Sequence, residues 1–247
     1  MRSPSRAPTN AVVFQHASVE HPGVFSDFFR ESGVRTTAIE LDEGESIPDL
    51  EPFDLMVVMG GPQDVWQEDQ HAWLKPEKKA IRRFVTEMKR PYLGICLGHQ
   101  LLADALGGRV GLAEPPEIGV LTVSKTPEGE ADPAMAGVPD PLPVLQWHSA
   151  AVLELPQGAT ALAGSDACPI QAFRYGKHAY GMQYHVEVTA QTVKDWAAIP
   201  EYAEALEKAM GANAVERLDG LVSAALPQFN KNARALYDSL MASWASV

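Results

Sequence analysis

The run Gly94-Ile95-Cys96-Leu97-Gly98 constrains the fold of this chain more than any other stretch. It follows a short apolar strand-like segment and leads into a helical pattern that continues to Leu106 and closes at Gly107-Gly108. Glycines on both sides of a single reactive side chain are what a strand requires when it turns sharply into a helix, because a Cβ there would collide with neighbouring backbone. Such an elbow lifts the side chain out of the sheet and aims the unpaired N–H groups of the new helix at it, an arrangement that favours thiolate. Cys96 is therefore the candidate nucleophile, placed at the carboxyl end of a strand, where open α/β sheets bind ligands. A buried core cysteine would have no need of the flanking glycines. Cys168, in Ala167-Cys168-Pro169, has no such context and reads as an ordinary core residue.

The rest of the chain agrees with an α/β fold. Apolar runs alternate with amphipathic stretches, the pattern of βα units around a mostly parallel central sheet flanked by helices. Strands are expected over 11–14, 36–41, 54–59 and 92–95, a helix over 24–32 closed by Gly33, and another over 73–89 that Pro91 ends. Gly60-Gly61-Pro62 stops the third strand sharply. From 118 to 183 the segments are shorter and separated by Pro and Gly, which predicts antiparallel or mixed sheet at 120–123, 144–147, 159–163, 170–173 and 180–184. Beyond Thr189 the pattern is helical, broken at Pro200, Gly211 and Pro227. We expect a flexible leader at 1–10, one α/β domain over 11–190, and a helical extension over 191–247 packed on the same domain.

Composition narrows the function. A formal charge of −12 would repel nucleic acid and anionic membranes. No apolar run approaches the ~20 residues that span a bilayer, and MRSPSRAPTN lacks the apolar stretch of a signal peptide, so a cytoplasmic location is expected. The two cysteines show no metal-type spacing, so neither a metal nor a cofactor is expected.

A cysteine nucleophile needs a base, and the base needs a group that fixes its tautomer. Among seven histidines, His185 ends the run 180–184 and is followed two residues later by Glu187, within reach of its Nδ1. His99 reads as a helix-packing residue and His148 as part of a loop lining the site, whereas His16, His21, His71 and His178 have nothing to distinguish them.

These motifs together, Gly94 to Gln100, Gln183-Tyr184-His185-Val186-Glu187, Met59-Gly60-Gly61-Pro62 and Gln146-Trp147-His148-Ser149, resemble the class I glutamine amidotransferase family. The likeness is greatest to free-standing members similar to the glutaminase domain of GMP synthase and to γ-glutamyl peptidases. The resemblance implies a flavodoxin-like catalytic domain and a Cys96–His185–Glu187 triad that cleaves a γ-glutamyl amide through a thioester. It also implies an oxyanion hole from the N–H groups of Gly61 and Leu97, with Gly60, Gln100, His148 and Ser149 holding the glutamyl part. Trp66 and Trp147 are further candidates for an amine pocket. Where the family commonly has His-Pro-Glu, this chain has His185-Val186-Glu187, a change in loop stiffness but not in chemistry. Three functions are compatible with these residues. The first is a free-standing hydrolase of γ-glutamyl amides or glutamine, favoured by the lack of a fused synthetase or Gly-rich nucleotide loop. The second is a glutaminase subunit passing ammonia to a separate synthetase partner, and the third a non-catalytic binding or regulatory relative, which an intact triad argues against.

Overall fold

The computed structural model describes residues 7–246. Five strands form its parallel part: β1 (Asn10–Gln15), β2 (Arg35–Glu40), β3 (Leu55–Val58), β4 (Tyr92–Ile95) and β9 (Ala179–Met182). Four more, β5 (Arg109–Lys125), β6 (Leu142–Glu154), β7 (Ala159–Gly164) and β8 (Ala172–Tyr175), extend it with antiparallel pairing. The order across the nine-stranded sheet is β2-β1-β3-β4-β9-β8-β7-β5-β6. Parallel registers such as Val57 beside Leu93 and Gly94 beside Gly181 put β4 in the middle, buried on both faces, which explains its apolar sequence. Of the expected leader, 1–6 lies outside the described residues; Thr9 is held by its N–H and hydroxyl on the Asp54 carboxylate, at 2.9 Å each.

Alternation along the strands separates two cores. Val13, Val57, Leu93 and Ile95 face one side, where they meet α1 (Phe25–Glu31) and the far end of the last helix through Leu236, Leu240 and Trp244. Val12, Phe14, Met56, Val58 and Tyr92 face the other, covered by α2 (Leu74–Arg82), its π-helical continuation to Glu87, and α3 (Leu97–Ala105). Each fully buried Phe or Leu here contributes roughly 1.5–3 kcal/mol. A one-turn helix α4 (Pro127–Glu130) follows β5, and α5 (Thr192–Trp196), α6 (Pro200–Met210) and α7 (Ala214–Trp244) complete the chain. A third apolar cluster joins β6 to these helices through Leu145, Trp147, Trp196, Tyr202, Leu206 and Phe229.

Four expectations change. β6 runs well past 144–147, to Glu154, so His148, expected on a loop, lies on a strand opposite Glu117 of β5. Pro227 does not break the C-terminal helix: α7 runs 31 residues with Pro227 inside it. Pro227 and Ser223, whose carbonyl loses its partner, both lie away from the buried stripe of the helix, so water can satisfy that group while the buried Val222, Phe229 and Leu236 keep the helix docked. β5 is 17 residues long and begins well before 118. Pro115 and Pro116 fall where the β5–β6 register shifts between Leu112 and Glu117, a bulge at which no ladder N–H is needed. β8 lies two residues later than expected, because Arg174 and Tyr175 still pair with β9.

Candidate active site

Cys96 leaves β4 with φ 53°, ψ −105° and caps α3, a conformation that a non-glycine residue adopts only where its surroundings enforce it. The flanking glycines explain how. A Cβ on Gly94 would stand 2.4 Å from the Gly98 carbonyl oxygen, and one on Gly98 would stand 2.0 Å from that of Val58. The strand, the turn and the helix can therefore approach each other only with glycine at both places. Cys96 is 5% exposed, and its N–H donates to Met182 on β9 at 2.8 Å, which fixes the elbow against the neighbouring strand.

His185 follows β9 and is bridged to β6 by paired backbone hydrogen bonds with Leu145, of 2.9 and 3.0 Å. Its side chain interacts with the Cys96 thiol on one side and, through Nδ1, is hydrogen-bonded to Glu187 Oε1 at 2.6 Å on the other. Glu187 Oε2 accepts the Val186 N–H at 3.0 Å, so the carboxylate is itself held. Burial disfavours a charge on the His185 ring, but the Glu187 carboxylate and the contact with Cys96 outweigh it and raise its pKa well above the ordinary value. The protonated ring is the form able to give a proton to a departing amine. Trp196 of α5 packs edge-on against the ring at 4.6 Å and limits its rotation.

Gly61 and Leu97, the expected oxyanion donors, both line the cavity at Cys96, and among the described residues neither N–H makes a hydrogen bond. Gly60 is buried behind them with its carbonyl accepting from His16 Nδ1 at 2.9 Å, so it shapes the turn. Gln100 lines the cavity, yet its amide nitrogen donates to the Ala150 carbonyl and to Gln183 Oε1, at 3.1 and 3.0 Å; only its oxygen is left for a ligand. Trp147, His148 and Ser149 lie on the opposite wall, on β6. The His148 ring is turned away, with Nδ1 bonded to the Ala150 carbonyl at 2.9 Å and Nε2 3.2 Å from Glu117. Trp66 does not belong to the cavity: it is 46% exposed on the loop after Gly61, of which Pro62, Gln63, Asp64 and Gln67 reach the lining instead.

Several further residues surround the site; apart from Gln183, which stands in the His185 motif, they carry no mark in the sequence. Gln183 Nε2 reaches the Cys96 sulfur at 3.5 Å and joins it to Gln100. His16, fully buried, holds both Gly60 and Glu77 Oε1, the latter at 2.9 Å, and stacks on Trp73. Burial works against its charged form, but Glu77 and the Gly60 carbonyl raise its pKa overall. Glu20 is buried beside Gly60 and accepts from Tyr202 of α6 at 2.6 Å; burial, only partly offset by His185, raises its pKa. Glu201, Tyr202 and Ala205 bring α6 into the cavity wall, so the C-terminal extension is part of the site. No local signal distinguishes His16, Glu20, Glu77 or Tyr202, since long stretches of chain separate each from its partner. Cys168 is unlike Cys96: burial and the Glu117 carboxylate push its thiol up to about 11, away from nucleophilic use.

A cysteine elbow on an α/β sheet, a histidine beside it and a carboxylate behind that histidine are the parts that a covalent acyl-transfer site requires. Residues 25–196 match the family described as Glutamine amidotransferase class-I, and the chain belongs to that family. Among curated relatives, the glutamine amidotransferase-like protein YfeJ of Salmonella typhimurium is 34% identical, over 72% of this chain and 76% of its own. A glutamine-hydrolysing GMP synthase subunit from Sulfolobus acidocaldarius is 34% identical over 61% and 76%. Gamma-glutamyl peptidase 3 of Arabidopsis thaliana is 30% identical over 66% and 67%. The crystal structure of a glutamine amidotransferase from Thermotoga maritima superposes with a TM-score of 0.82 at 31% identity, covering 94% of this chain and 98% of that one. Among the described residues no helix is long and apolar enough to cross a membrane.

Proposed function

We propose that this chain hydrolyses a γ-glutamyl amide whose amine is larger than ammonia, using Cys96, His185 and Glu187 and no cofactor. Cys96 attacks the γ-carbonyl, and the N–H groups of Gly61 and Leu97 receive the oxyanion, donors that can each be worth ~2.7–4 kcal/mol in acyl transfer. His185, oriented by Glu187, protonates the leaving amine as the carbon–nitrogen bond breaks. It then takes a proton from the water that cleaves the thioester, releasing glutamate and restoring the thiol. Gly60 shapes the turn, and Gln100, His148, Ser149 and Trp147 form the walls that hold the substrate.

The observation that carries this reading is the shape of the space at Cys96. A cavity of about 270 Å³ opens over the cysteine, and its lining residues Ser149, Glu201 and Ala205 also line a groove of about 810 Å³ beyond it. That groove runs along Leu112, Pro115, Pro116 and Ile118 and gives a substituent on the amide nitrogen somewhere to lie. Asp64, Glu114, Glu201 and Glu204 on the combined walls face a single cation, Lys208, which favours a neutral or positively charged amine over an anionic one. A second reading, a glutaminase serving a separate synthetase, is favoured by the relatives named as subunits of GMP synthase. One experiment separates the two: the purified chain, without ATP or partners, is assayed against glutamine and a panel of γ-glutamyl amides of neutral, cationic and anionic amines. We expect at least one substituted amide to be cleaved faster than glutamine, with release of amine and glutamate. Inactivity on every amide, relieved by adding a synthetase, would establish the second reading instead.

A further inference from the structure

Behind the cavity wall, three buried side chains from separate parts of the sequence converge: Glu117 of β5, His148 of β6 and Cys168 of the loop between β7 and β8. One donor atom from each lies within 4.8 Å of the other two. The hydrogen bonding around them sets the chemistry. His148 Nδ1 is 2.9 Å from the Ala150 carbonyl oxygen, which can only accept, so Nδ1 carries the proton. In the neutral ring Nε2 then presents a bare lone pair. That atom is buried and its one polar neighbour is Glu117 Oε2 at 3.2 Å, which it can bond only if the ring takes a second proton.

Two electron-pair donors at this separation, shielded from water, need a positive centre between or beside them. A second proton on the imidazole would serve the pair alone. It would leave the Cys168 sulfur, which has only a 3.7 Å contact with the Ile170 carbonyl, and the buried Gln171 Oε1, which has no partner, without a role. The arrangement around the three resembles what a ligand set requires. A backbone carbonyl fixes the imidazole through its other nitrogen. The carboxylate is steadied by Ser165 Oγ at 2.9 Å and Gln171 Nε2 at 2.7 Å.

We propose that Glu117, His148 and Cys168 bind a thiophilic divalent cation of the zinc class. One thiolate, one imidazole and one carboxylate match its preferences, whereas magnesium and calcium take oxygen donors. Zinc–ligand bonds of about 2.0–2.3 Å in a tetrahedron place donor atoms about 3.3–3.6 Å apart. The nitrogen–oxygen pair already stands close to that edge, and only the Cys168 sulfur has to swing inward. Binding releases the thiol proton to solvent; the dication then meets one thiolate and one carboxylate, so the buried centre carries no net charge. A water or the Gln171 amide oxygen completes the fourth position. The ion would tie β5, β6 and the β7–β8 loop together immediately behind His148, Ser149 and Ala150, the cavity wall facing Cys96.

The chain has two cysteines, so Cys96→Ser leaves Cys168 as its sole thiol. The metal-stripped full-length Cys96→Ser protein is titrated with Co²⁺, followed by competition with Zn²⁺. The expected result is one equivalent of cobalt giving a thiolate-to-cobalt charge-transfer band and the intense visible bands of tetrahedral cobalt, both erased by zinc. Adding Cys168→Ser should remove the charge-transfer band. No such band in Cys96→Ser overturns the proposal, as does a band present in Cys168→Ser and absent from Cys96→Ser, which would put the ion on the nucleophile. If the Cys168 variant fails to fold, the Cys96→Ser titration alone decides.

Discussion

Two sets of one cysteine, one histidine and one glutamate lie buried in this molecule, and they differ in order rather than in composition. On the parallel half of the sheet the three groups form a line: Cys96, then His185, then Glu187 bonded to the far ring nitrogen at 2.6 Å. On the antiparallel half, Cys168, His148 and Glu117 surround a point, and the far nitrogen of His148 is held by a backbone carbonyl. A line moves a proton from one end toward the other; a cluster around a point can only share something central. The line also ends on a cavity, whereas the cluster stands behind its wall. On the proposals made above, the same residue types serve covalent catalysis in one place and cation binding in the other, and the surroundings of each cysteine decide which. At Cys96 a strained elbow exposes the sulfur to the cavity; at Cys168 burial and a carboxylate neighbour push the thiol up to about 11.

The largest effect that can break this contrast is removal of each sulfur. Cys96→Ala should lower kcat by roughly 10⁶-fold, as loss of a nucleophile from a triad does. Cys168→Ala should keep the reaction, with its loss appearing in KM because the residue stands behind the wall and not at the reacting atoms. A glutamine-mimicking electrophile should label Cys96 and spare Cys168. Mass spectrometry finding the label on Cys168 alone would reverse the assignment.

Next in size is the carboxylate of the line. Glu187→Gln keeps a hydrogen-bond partner near His185 but removes the charge that stabilises the imidazolium, and should lower kcat by roughly 10²–10⁴-fold with little change in KM. Steady-state kinetics on the best amide substrate reads both constants. An unchanged kcat would show that another group, of which the buried Glu20 is one candidate, supports the ring.

What can be read in advance divides along the same halves. The elbow is local: strand, cysteine, glycines and helix lie within a dozen residues, so Gly94, Cys96 and Gly98 announce it before any tertiary contact is known. His185 and Glu187 are likewise two residues apart. Glu117, His148 and Cys168 meet only because β5, β6 and the β7–β8 loop fold together, and no spacing rule covers such a set. The pair His16–Glu77 and the pair Glu20–Tyr202 are hidden for the same reason. Local rules also misread Pro227 and the start of β5, because solvent access at Pro227 and a bulge at Pro115-Pro116 remove the hydrogen bond that proline would have cost. Nearness in sequence to Gly61 suggests Trp66 for the cavity, but it says nothing about which way a loop turns.

A third effect tests the ground between the two sets. His99 of α3 is fully buried against Phe173 and the backbone of Gly181 and Ile170, and burial lowers its pKa to about 3. At high pH the ring is neutral folded or unfolded, and no stability depends on it. Below the ordinary value of 6.5, the unfolded chain takes up a proton that the native ring refuses, and stability is lost as pH falls. By about pH 5 this should amount to about 2 kcal/mol. Urea unfolding at about pH 7.5 and about pH 5 should therefore show a smaller acid loss for His99→Phe than for the parent chain. Equal losses in the two proteins would mean that the ring is not held neutral.

The smallest effect distinguishes the two tryptophans. Trp147 precedes His148 on β6 and packs against Trp196 and Tyr202 at 5.7 and 5.8 Å; Trp196 in turn packs on His185, so Trp147 joins the cavity wall to the ring of the line. Truncation to alanine should loosen that wall and shift the ratio of kcat/KM between a bulky and a small amine by roughly 10-fold, the discrimination that a few apolar contacts supply. Trp66 is 46% exposed and outside the lining, so Trp66→Ala should leave the same ratio unaltered within error. Because the readout is a ratio of substrates on one enzyme, a general loss of folded protein cancels from it, and only a change in the shape met by the amine remains. If Trp66→Ala moved the ratio as far as Trp147→Ala did, the loop after Gly61 would have to fold over the bound substrate, and the amine would lie toward α2 instead of along the groove between β5 and α6.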